Sequence, residues 1–224
     1  MRKSYAHGMP AASQIQSHVR YPLTTILGSA GNVRTLRVLV NDPSPQSAPH
    51  IAQQAGLSPQ GARLVLDTLA RQQLVKVHGS GRTQLYALSA AHPFVGALTT
   101  LFQEERKRWE HLLAMVREKL ARPGAAVRAA WLYGSVARGE DTPRSDLDIA
   151  LLVTSHKVAD RVREDLMSLE DEQQVHFSVT ALTPKDLAAI SDKDRWWSDV
   201  VRDARILKGP APDAAKRRVA KGAA

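Results

Sequence analysis

Two aspartates separated by a single residue, Asp146 and Asp148, are well placed in this sequence to hold a divalent cation. Apolar residues follow them, as in a buried strand, and Leu147 lies between them. Side chains two positions apart on a strand point to the same side, so the two carboxylates should converge. Oxygen ligands of this kind suit Mg²⁺ or Mn²⁺. The spacing therefore predicts a metal site at the start of a strand.

A glycine and a serine upstream of this pair, Gly134 and Ser135, end an apolar stretch that has the pattern of a strand. They predict a tight turn into a helix. Backbone N–H groups at such a helix start, together with a serine hydroxyl, can hold phosphate oxygens. The same segment therefore offers groups for phosphates and groups for a metal.

The stretch LYGSVARGEDTPRSDLDIALLV, from Leu132 to Val153, resembles the nucleotidyltransferase superfamily related to DNA polymerase beta, and within it the minimal nucleotidyltransferase group. The family pattern is Gly-Ser, then Arg-Gly, then Ser-Asp-x-Asp. Every position of the pattern is present: Gly134, Ser135, Arg138, Gly139, Ser145, Asp146 and Asp148. The resemblance extends over about residues 126–208.

This resemblance implies roles for the matched residues. Gly134 and Ser135 would hold the β- and γ-phosphates of an NTP. Asp146 and Asp148 would be the catalytic residues and would bind the Mg²⁺ or Mn²⁺ that bridges phosphate oxygens and stabilises charge during an in-line displacement.

Two further positions of the pattern, Arg138 and Ser145, are assigned to nucleotide binding by the same resemblance. For Arg138 two interpretations stay open. It contacts phosphate, or it anchors the turn to Asp141 or another acid.

One departure from the family concerns a third carboxylate, which active members usually present from a neighbouring strand. The third predicted strand of this half offers His176, Ser178 and Thr180 on the side away from the core, and none is an acid. His176 aligns with the missing acid, and imidazole is a poor ligand for Mg²⁺; a plain polar surface role for it is favoured. Asp171 and Glu172 precede the strand, but the spacing does not require them to reach the site. Turnover is therefore left open.

The N-terminal half has a different order of elements. Apolar periodicity and capping residues predict three helices and then two strands joined by a glycine-bearing turn, at about residues 31–41, 48–55, 58–73, 74–77 and 84–88. This order resembles the winged helix-turn-helix family of transcription regulators, of the MarR and ArsR type, over about residues 30–90. The resemblance implies that the helix beginning after Ser58 enters the major groove of duplex DNA.

Four residues are predicted to contact DNA on this basis. Gln60 and Arg63 lie early on the recognition helix and can donate to base edges, whereas Arg71 is further along and suits a phosphate. Arg82 lies at the tip of the hairpin. Residues 20–90 contain seven basic and two acidic residues, a net charge of +5, whereas residues 126–209 contain 12 basic and 15 acidic residues, a net charge of −3. A basic N-terminal half favours a polyanionic partner.

Between the two halves, apolar residues at helical spacing predict a long helix over residues 93–122. Its apolar side has two interpretations: packing within the chain, or a homodimer interface of the kind that helix-turn-helix proteins use to bind two half-sites.

The expected fold class is a two-domain mixture of helices and sheets (α/β or α+β). It comprises a flexible arm (1–22), a winged helix (23–90), a linker helix (91–125), a mixed sheet with flanking helices of nucleotidyltransferase type (126–209) and a disordered basic tail (210–224). The absence of cysteine excludes disulfides and thiolate metal sites. With no apolar run long enough for a membrane span and no signal-peptide pattern, we expect a cytoplasmic protein without a membrane partner.

Three functional hypotheses follow. The chain is a DNA-binding protein whose nucleotidyltransferase domain binds Mg²⁺-NTP and transfers a nucleotidyl group to an acceptor. Alternatively, it is a transcription regulator that senses a nucleotide without turnover. In the third hypothesis it is an antitoxin-like interaction module with a toxin partner, because small proteins of this superfamily often pair with a toxin.

Overall fold

The computed structural model of the chain describes residues 17–81 and 84–222. The chain divides into two compact units between Arg106 and Lys107. Each unit combines helices with a sheet, which confirms the predicted fold class. Across the described residues, no helix is both long enough and apolar enough to cross a membrane.

The N-terminal unit is a winged helix. Its elements are α1 (Leu23–Ile26), α2 (Ala30–Asn41), β1 (Gln46–Ser47), α3 (Ala48–Ala55), α4 (Pro59–Arg71), β2 (Val75–His78) and β3 (Leu85–Leu88). The three strands form an antiparallel sheet in the order β1-β3-β2. Helices α2, α3 and α4 contact one another, so the helix-turn-helix formed by α3 and α4 packs against α2. The hairpin of β2 and β3 follows it.

The turn between α3 and α4 follows the sequence signals closely. Gly56 ends α3 with a φ of 61°, a conformation that favours glycine. Ser58 then caps α4 by accepting a hydrogen bond from the backbone N–H of Gly61 at 3.0 Å. Leu66 and Leu69 are fully buried, which fixes the face that α4 turns to the core.

A long helix, α5 (Val95–Ala121), contributes to both units. Leu98 and Phe102 are buried in the core of the N-terminal unit, whereas Leu112 and Val116 are buried in the core of the C-terminal unit. Packing within each unit therefore uses most of the apolar side of the helix. Leu101 remains 56% exposed, and a homodimer through this helix stays a proposal.

The C-terminal unit is built on a four-stranded mixed sheet. Its elements after α5 are β4 (Val127–Tyr133), α6 (Gly134–Arg138), β5 (Leu147–Val153), α7 (His156–Gln173), β6 (Phe177–Leu182), α8 (Pro184–Ala189), α9 (Arg195–Asp203), β7 (Arg205–Lys208) and α10 (Pro212–Gly222). The strand order is β6-β5-β4-β7, with β5 and β6 parallel and the other pairs antiparallel.

Both faces of this sheet are covered. On one face the strands pack with α5 and α7, around residues such as Ile149 and Leu166. On the other face they pack with the helices that follow β6, around Trp131 and Trp197. Alternate residues of β5 enter opposite clusters, as the period of a strand requires: Leu151 faces the first cluster and Leu152 the second.

The disordered tail predicted over residues 210–224 is wrong for the described part of that range. Pro212–Gly222 form helix α10, with Ala215 buried and Val219 packed against the core. The Lys216 ammonium donates to the Ile190 carbonyl oxygen at 2.7 Å. The composition rich in Ala, Lys and Arg suggested a solvated tail, but these residues are strong helix formers, and apolar contacts fix the helix. Of the predicted N-terminal arm, residues 1–16 lie outside the described residues.

Candidate functional site

Asp146 and Asp148 lie where β5 begins. Asp146 immediately precedes the strand and is exposed, whereas Asp148 is its second residue and is half-buried. Leu147 between them is 5% exposed and packs into the core, so the strand period turns the two acids away from that core. Asp148 pairs in register with Tyr133 of β4 on one side and with Ser178 of β6 on the other.

The charge of Asp148 is disfavoured where it stands. Burial raises the pKa of this carboxyl above its usual range, and the nearby negative charge of Asp146 raises it further. A hydrogen bond with Ser178 and the positive charge of Arg138 act in the opposite direction without cancelling the rise. A bound cation would therefore stabilise the ionised form of this carboxyl.

Gly134 lies directly against the side chain of Asp148. Its φ of 77° is in the left-handed region, and a Cβ atom on it would lie 2.5 Å from Asp148 Oδ2. Any larger residue would both strain the backbone and displace the carboxylate. The turn between β4 and α6 is therefore packed directly against the acid at the head of β5.

Ser135 and Ser145 occupy different positions beside this turn. The Ser135 hydroxyl is half-buried and has no hydrogen-bond partner among the described residues, while the Ser135 carbonyl accepts from the Glu140 N–H at 2.9 Å. The Ser145 hydroxyl accepts from the Thr142 N–H at 2.9 Å and so shapes the loop that leads to Asp146. Ser135 is thus available to a ligand, and Ser145 is engaged in holding the loop.

Arg138 is engaged by acids of its own chain. Its guanidinium donates to Glu140 at 2.7 Å and to Asp203, the last residue of α9, at 2.5 Å. The Asp203 side chain is only 2% exposed, and it also accepts from Arg202. Of the two interpretations of Arg138, this geometry favours the anchor of the turn, with Asp203 and Glu140 as its acids in place of Asp141.

The position opposite Asp148 on the neighbouring strand is held by Ser178. The sequence alignment that placed His176 there differs from the register, which pairs Asp148 with Ser178. His176 precedes β6, its side chain is 79% exposed, and its Nδ1 lies 3.7 Å from Glu170 Oε2. Asp171 belongs to the end of α7 and is exposed. Within residues 17–81 and 84–222, no group of three His, Asp or Glu side chains is arranged to hold a metal ion.

Three aromatic or acidic residues near the site were missed by the sequence analysis. Tyr133 lies beside Asp148 in register, and its hydroxyl accepts from Trp196 Nε1 at 3.0 Å. The two rings meet edge to face. Asp203, which holds Arg138, is the third. Trp196 and Asp203 belong to α9, which the sequence pattern did not predict, whereas Tyr133 is the last residue of β4.

A cavity of about 610 Å³ borders the other side of the 141–145 loop. Trp109 and Leu112 form its apolar wall, and Ser145, Glu170 and His176 contribute polar groups. It opens on the face of the sheet opposite to that of Asp148.

The predicted DNA-contacting residues lie on the N-terminal unit. Gln60 and Arg63 are exposed on the first turns of α4, and Arg63 has no ion-pair partner among the described residues. Arg71, at the end of the helix, is exposed and donates to Thr68 Oγ1 at 3.3 Å. Arg82 lies outside the described residues. The exposed early face of α4 is the surface that a recognition helix presents to DNA.

Comparison with known families agrees with this architecture. Residues 117–194 match the family described as polymerase beta, nucleotidyltransferase. No curated protein sequence matches the chain.

Solved structures with similarity to the chain include transcription regulators and a toxin-antitoxin. The antimony-specific transcriptional repressor AntR is 17% identical, with a TM-score of 0.36, and the match covers 49% of this chain and 96% of AntR. The MarR family regulator SPO1453 from Silicibacter pomeroyi DSS-3 is 16% identical, with a TM-score of 0.34, over 46% of this chain and 74% of its own. A toxin-antitoxin structure with AMP-PNP is 19% identical, with a TM-score of 0.33, and the match covers 48% of this chain and 86% of that chain.

The matched family confirms the nucleotidyltransferase resemblance of the C-terminal half, and the observed topology confirms a winged-helix fold for the N-terminal half. The chain carries a nucleotidyltransferase domain of the polymerase beta family over residues 117–194, preceded by a winged helix-turn-helix.

Proposed function

We propose that the C-terminal unit binds an NTP together with Mg²⁺ at the turn that joins β4 to α6. The observation that supports this most is the packing of Asp148 against Gly134, beside the Ser135 hydroxyl, which no other described residue engages in a hydrogen bond. Phosphate oxygens would meet Ser135 and the backbone of the turn, and the metal would meet Asp146 and Asp148.

The donor set fits a hard divalent cation. Both acids offer oxygen, which Mg²⁺ and Mn²⁺ prefer. The raised pKa of Asp148 also means that its charge is not yet compensated within the chain. When bound, Mg²⁺ would neutralise phosphate charge and align the phosphates. Gly134 and Ser178 hold the carboxylate of Asp148 in place from either side.

Nucleotidyl transfer to an acceptor is proposed to be weak or absent. The register gives Ser178, a neutral hydroxyl, the position opposite Asp148. A hydroxyl supplies neither the charge of a third metal ligand nor a base for the attacking group. Nucleotide binding without efficient turnover follows, and this agrees with the alternative of a nucleotide-sensing regulator.

Isothermal titration with each NTP, in the presence and absence of Mg²⁺, tests the binding site. We expect Mg²⁺ to tighten binding by about tenfold or more, a gain of about 1.4 kcal/mol. Asp146→Ala combined with Asp148→Ala should remove that gain. Asp141→Ala, an exposed acid of the same loop, should leave it in place. A gain that persists in the double variant would contradict the assignment.

A second proposal concerns the N-terminal unit, which we expect to bind duplex DNA. The observation that favours it is Arg63, which is exposed and forms no ion pair within the described part of the chain. It lies near Gln60 on a helix that a glycine turn and a serine cap orient. Phosphate contacts release counterions, so affinity should fall steeply as salt rises. Fluorescence anisotropy of the full chain with labelled duplex checks this, and binding that is absent even at low ionic strength would contradict it.

A further inference from the structure

A second cavity of the C-terminal unit, also about 610 Å³, has no part in the proposed nucleotide site. Six of its lining residues are apolar: Leu152, Pro184, Ala188, Pro210, Ala215 and Val219. The remaining three are cations, Arg128, Lys185 and Arg218, and no described carboxylate lines it. Leu152 is near the end of β5 and Asp148 near its start, so roughly 13 Å of strand separates the two sites.

The position of Arg128 depends on an irregularity of β4. Val127 pairs with Val153 and Ala129 with Leu152, so Arg128 is an extra residue on its strand. Such a bulge bends the strand and redirects the side chain. Arg128 consequently lies at the cavity rather than in the core.

The wall formed by α10 is also fixed. Ala215, Arg218 and Val219 have helical spacing and therefore share the face that lines the cavity. Lys216 lies on another face, where its ammonium donates to the Ile190 carbonyl at 2.7 Å and to Asp192 at 2.5 Å. These bonds hold the helix in place and do not involve the cations at the cavity.

Among the described residues, Arg128 and Arg218 form no ion pair with a carboxylate, whereas the charge of Lys185 acts on the neighbouring Asp186 and helps to lower the pKa of that carboxyl. Asp186, the neighbour of Lys185, accepts hydrogen bonds from Thr183 and lies 3.4 Å from His156. Three like charges around one opening repel one another and attract an anion. Guanidinium groups in particular match the planar fork of a carboxylate.

We propose that this cavity binds a small carboxylate with an apolar body, a ligand distinct from the nucleotide. The apolar body would contact Leu152, Ala215 and Val219, and the carboxylate would pair with Arg128 and Arg218. A volume of this size is within the range of small-molecule sites in proteins.

Titration calorimetry of the full chain with decanoate, below its micelle-forming concentration, tests the proposal. Acetate has the head group without the body, and decyltrimethylammonium has the body with the opposite charge. We expect decanoate to bind about tenfold or more tightly than either. Equal binding of acetate or of decyltrimethylammonium would overturn the proposal, because only one half of the site would then be in use.

Substitutions distinguish binding in this cavity from nonspecific attraction of an anion to basic residues elsewhere on the surface. Arg128→Gln and Arg218→Gln should each weaken decanoate binding by about tenfold, and Ala188→Leu should weaken it by narrowing the cavity. Arg217→Gln, on the same helix but outside the cavity, should have no effect. Decanoate binding that none of the three variants changes would overturn the proposal. The proposal would also be overturned if decanoate did not bind while duplex DNA bound through Arg128 and Arg218, because these arginines would then belong to a nucleic-acid surface.

Discussion

At the scale of single residues, Gly134 and Gly139 form a natural pair for comparison. Both have a φ above 70°, so alanine at either position should cost about 1–2 kcal/mol of backbone strain. Only Gly134 lies against Asp148, whereas a Cβ on Gly139 meets nothing within 4 Å.

Gly134→Ala is therefore expected to abolish Mg²⁺-dependent nucleotide binding, while Gly139→Ala retains it despite the cost of backbone strain. Urea unfolding measures the stability of each variant, and calorimetric titration measures binding. Equal binding by the two variants would show that the contact between Gly134 and Asp148 does not support the site.

The position opposite Asp148 leads to a prediction about catalysis. Ser178→Asp should place a third carboxylate beside Asp148, and any nucleotidyl transfer should rise by about tenfold or more. His176→Asp adds the same charge at an exposed position before the strand and should have no such effect. Transfer of labelled nucleotide to protein or nucleic-acid acceptors is the measurement. A rise in nucleotidyl transfer with His176→Asp but not with Ser178→Asp would show that His176, and not Ser178, corresponds to the missing acid.

This residue also shows what the sequence could not provide. Alternation along a strand identifies which side chains share a face, and it predicted His176 and Ser178 on one side. In the structure Ser178 lies beside Asp148, whereas His176 precedes the strand and lines the cavity on the opposite face. A shift of two residues leaves the faces unchanged, so alternation cannot choose between them. The choice needs the parallel register of β5 and β6, which depends on how α7 packs on the sheet. Asp146, Asp148 and Gly134 could be predicted because they lie within one continuous motif.

At the scale of secondary-structure elements, Asp203 joins α9 to the turn through Arg138. The hydrogen bond from Arg202, and then that from Arg138, lowers the pKa of the Asp203 carboxyl. A folded-state pKa below the unfolded value stabilises the fold above the unfolded pKa, and this stabilisation is lost as the pH falls through the folded value.

Asp203→Asn should accordingly lower the melting temperature of the C-terminal unit by about 2–4 °C at neutral pH. The difference from wild type should shrink in acid, below the ordinary pKa of aspartate. Asp160→Asn removes an exposed ion pair with Arg163 and should have little effect at any pH. Circular dichroism melts over a pH series measure both. A difference that stays constant into strong acid would contradict the role of the charge.

The recognition helix provides the second prediction at this scale. Arg63→Ala should cost about 1–3 kcal/mol on a duplex selected from a random library if Arg63 contacts a base. Arg71→Ala should instead weaken selected and random duplexes alike, since phosphate contacts carry no sequence information. Anisotropy titrations with both duplexes distinguish these outcomes. If Arg63→Ala weakened binding to both duplexes equally, Arg63 would not contact a base.

Helices differed in how well their sequences predicted them. α4 has a serine cap, a proline in its first turn and an apolar stripe, and its position followed from these local signals. α10 has few apolar residues, and its burial depends on Trp197 and other residues distant in the chain. Local composition could not show that contact, so the sequence predicted a disordered tail where a helix forms.

At the scale of the whole molecule, a basic winged helix and a nucleotidyltransferase domain occur in one chain. The opposite net charges of residues 20–90 and 126–209 agree with a polyanion binding to the first and not covering the second. We propose that the second unit holds a metal–nucleotide complex through Asp146 and Asp148.

Water-proton relaxation with Mn²⁺ tests this claim most directly, because the relaxation rate rises when a Mn²⁺–nucleotide complex is held on a protein. We predict that the full chain enhances relaxation with at least one of the four NTPs, and that Asp141→Asn behaves as the wild type. Asp148→Asn should lose the enhancement while remaining folded. Burial raises the pKa of the Asp148 carboxyl and so disfavours its charge, and removing that charge should not destabilise the fold. An enhancement that Asp148→Asn leaves unchanged, or none with any nucleotide in the wild type, would contradict the account.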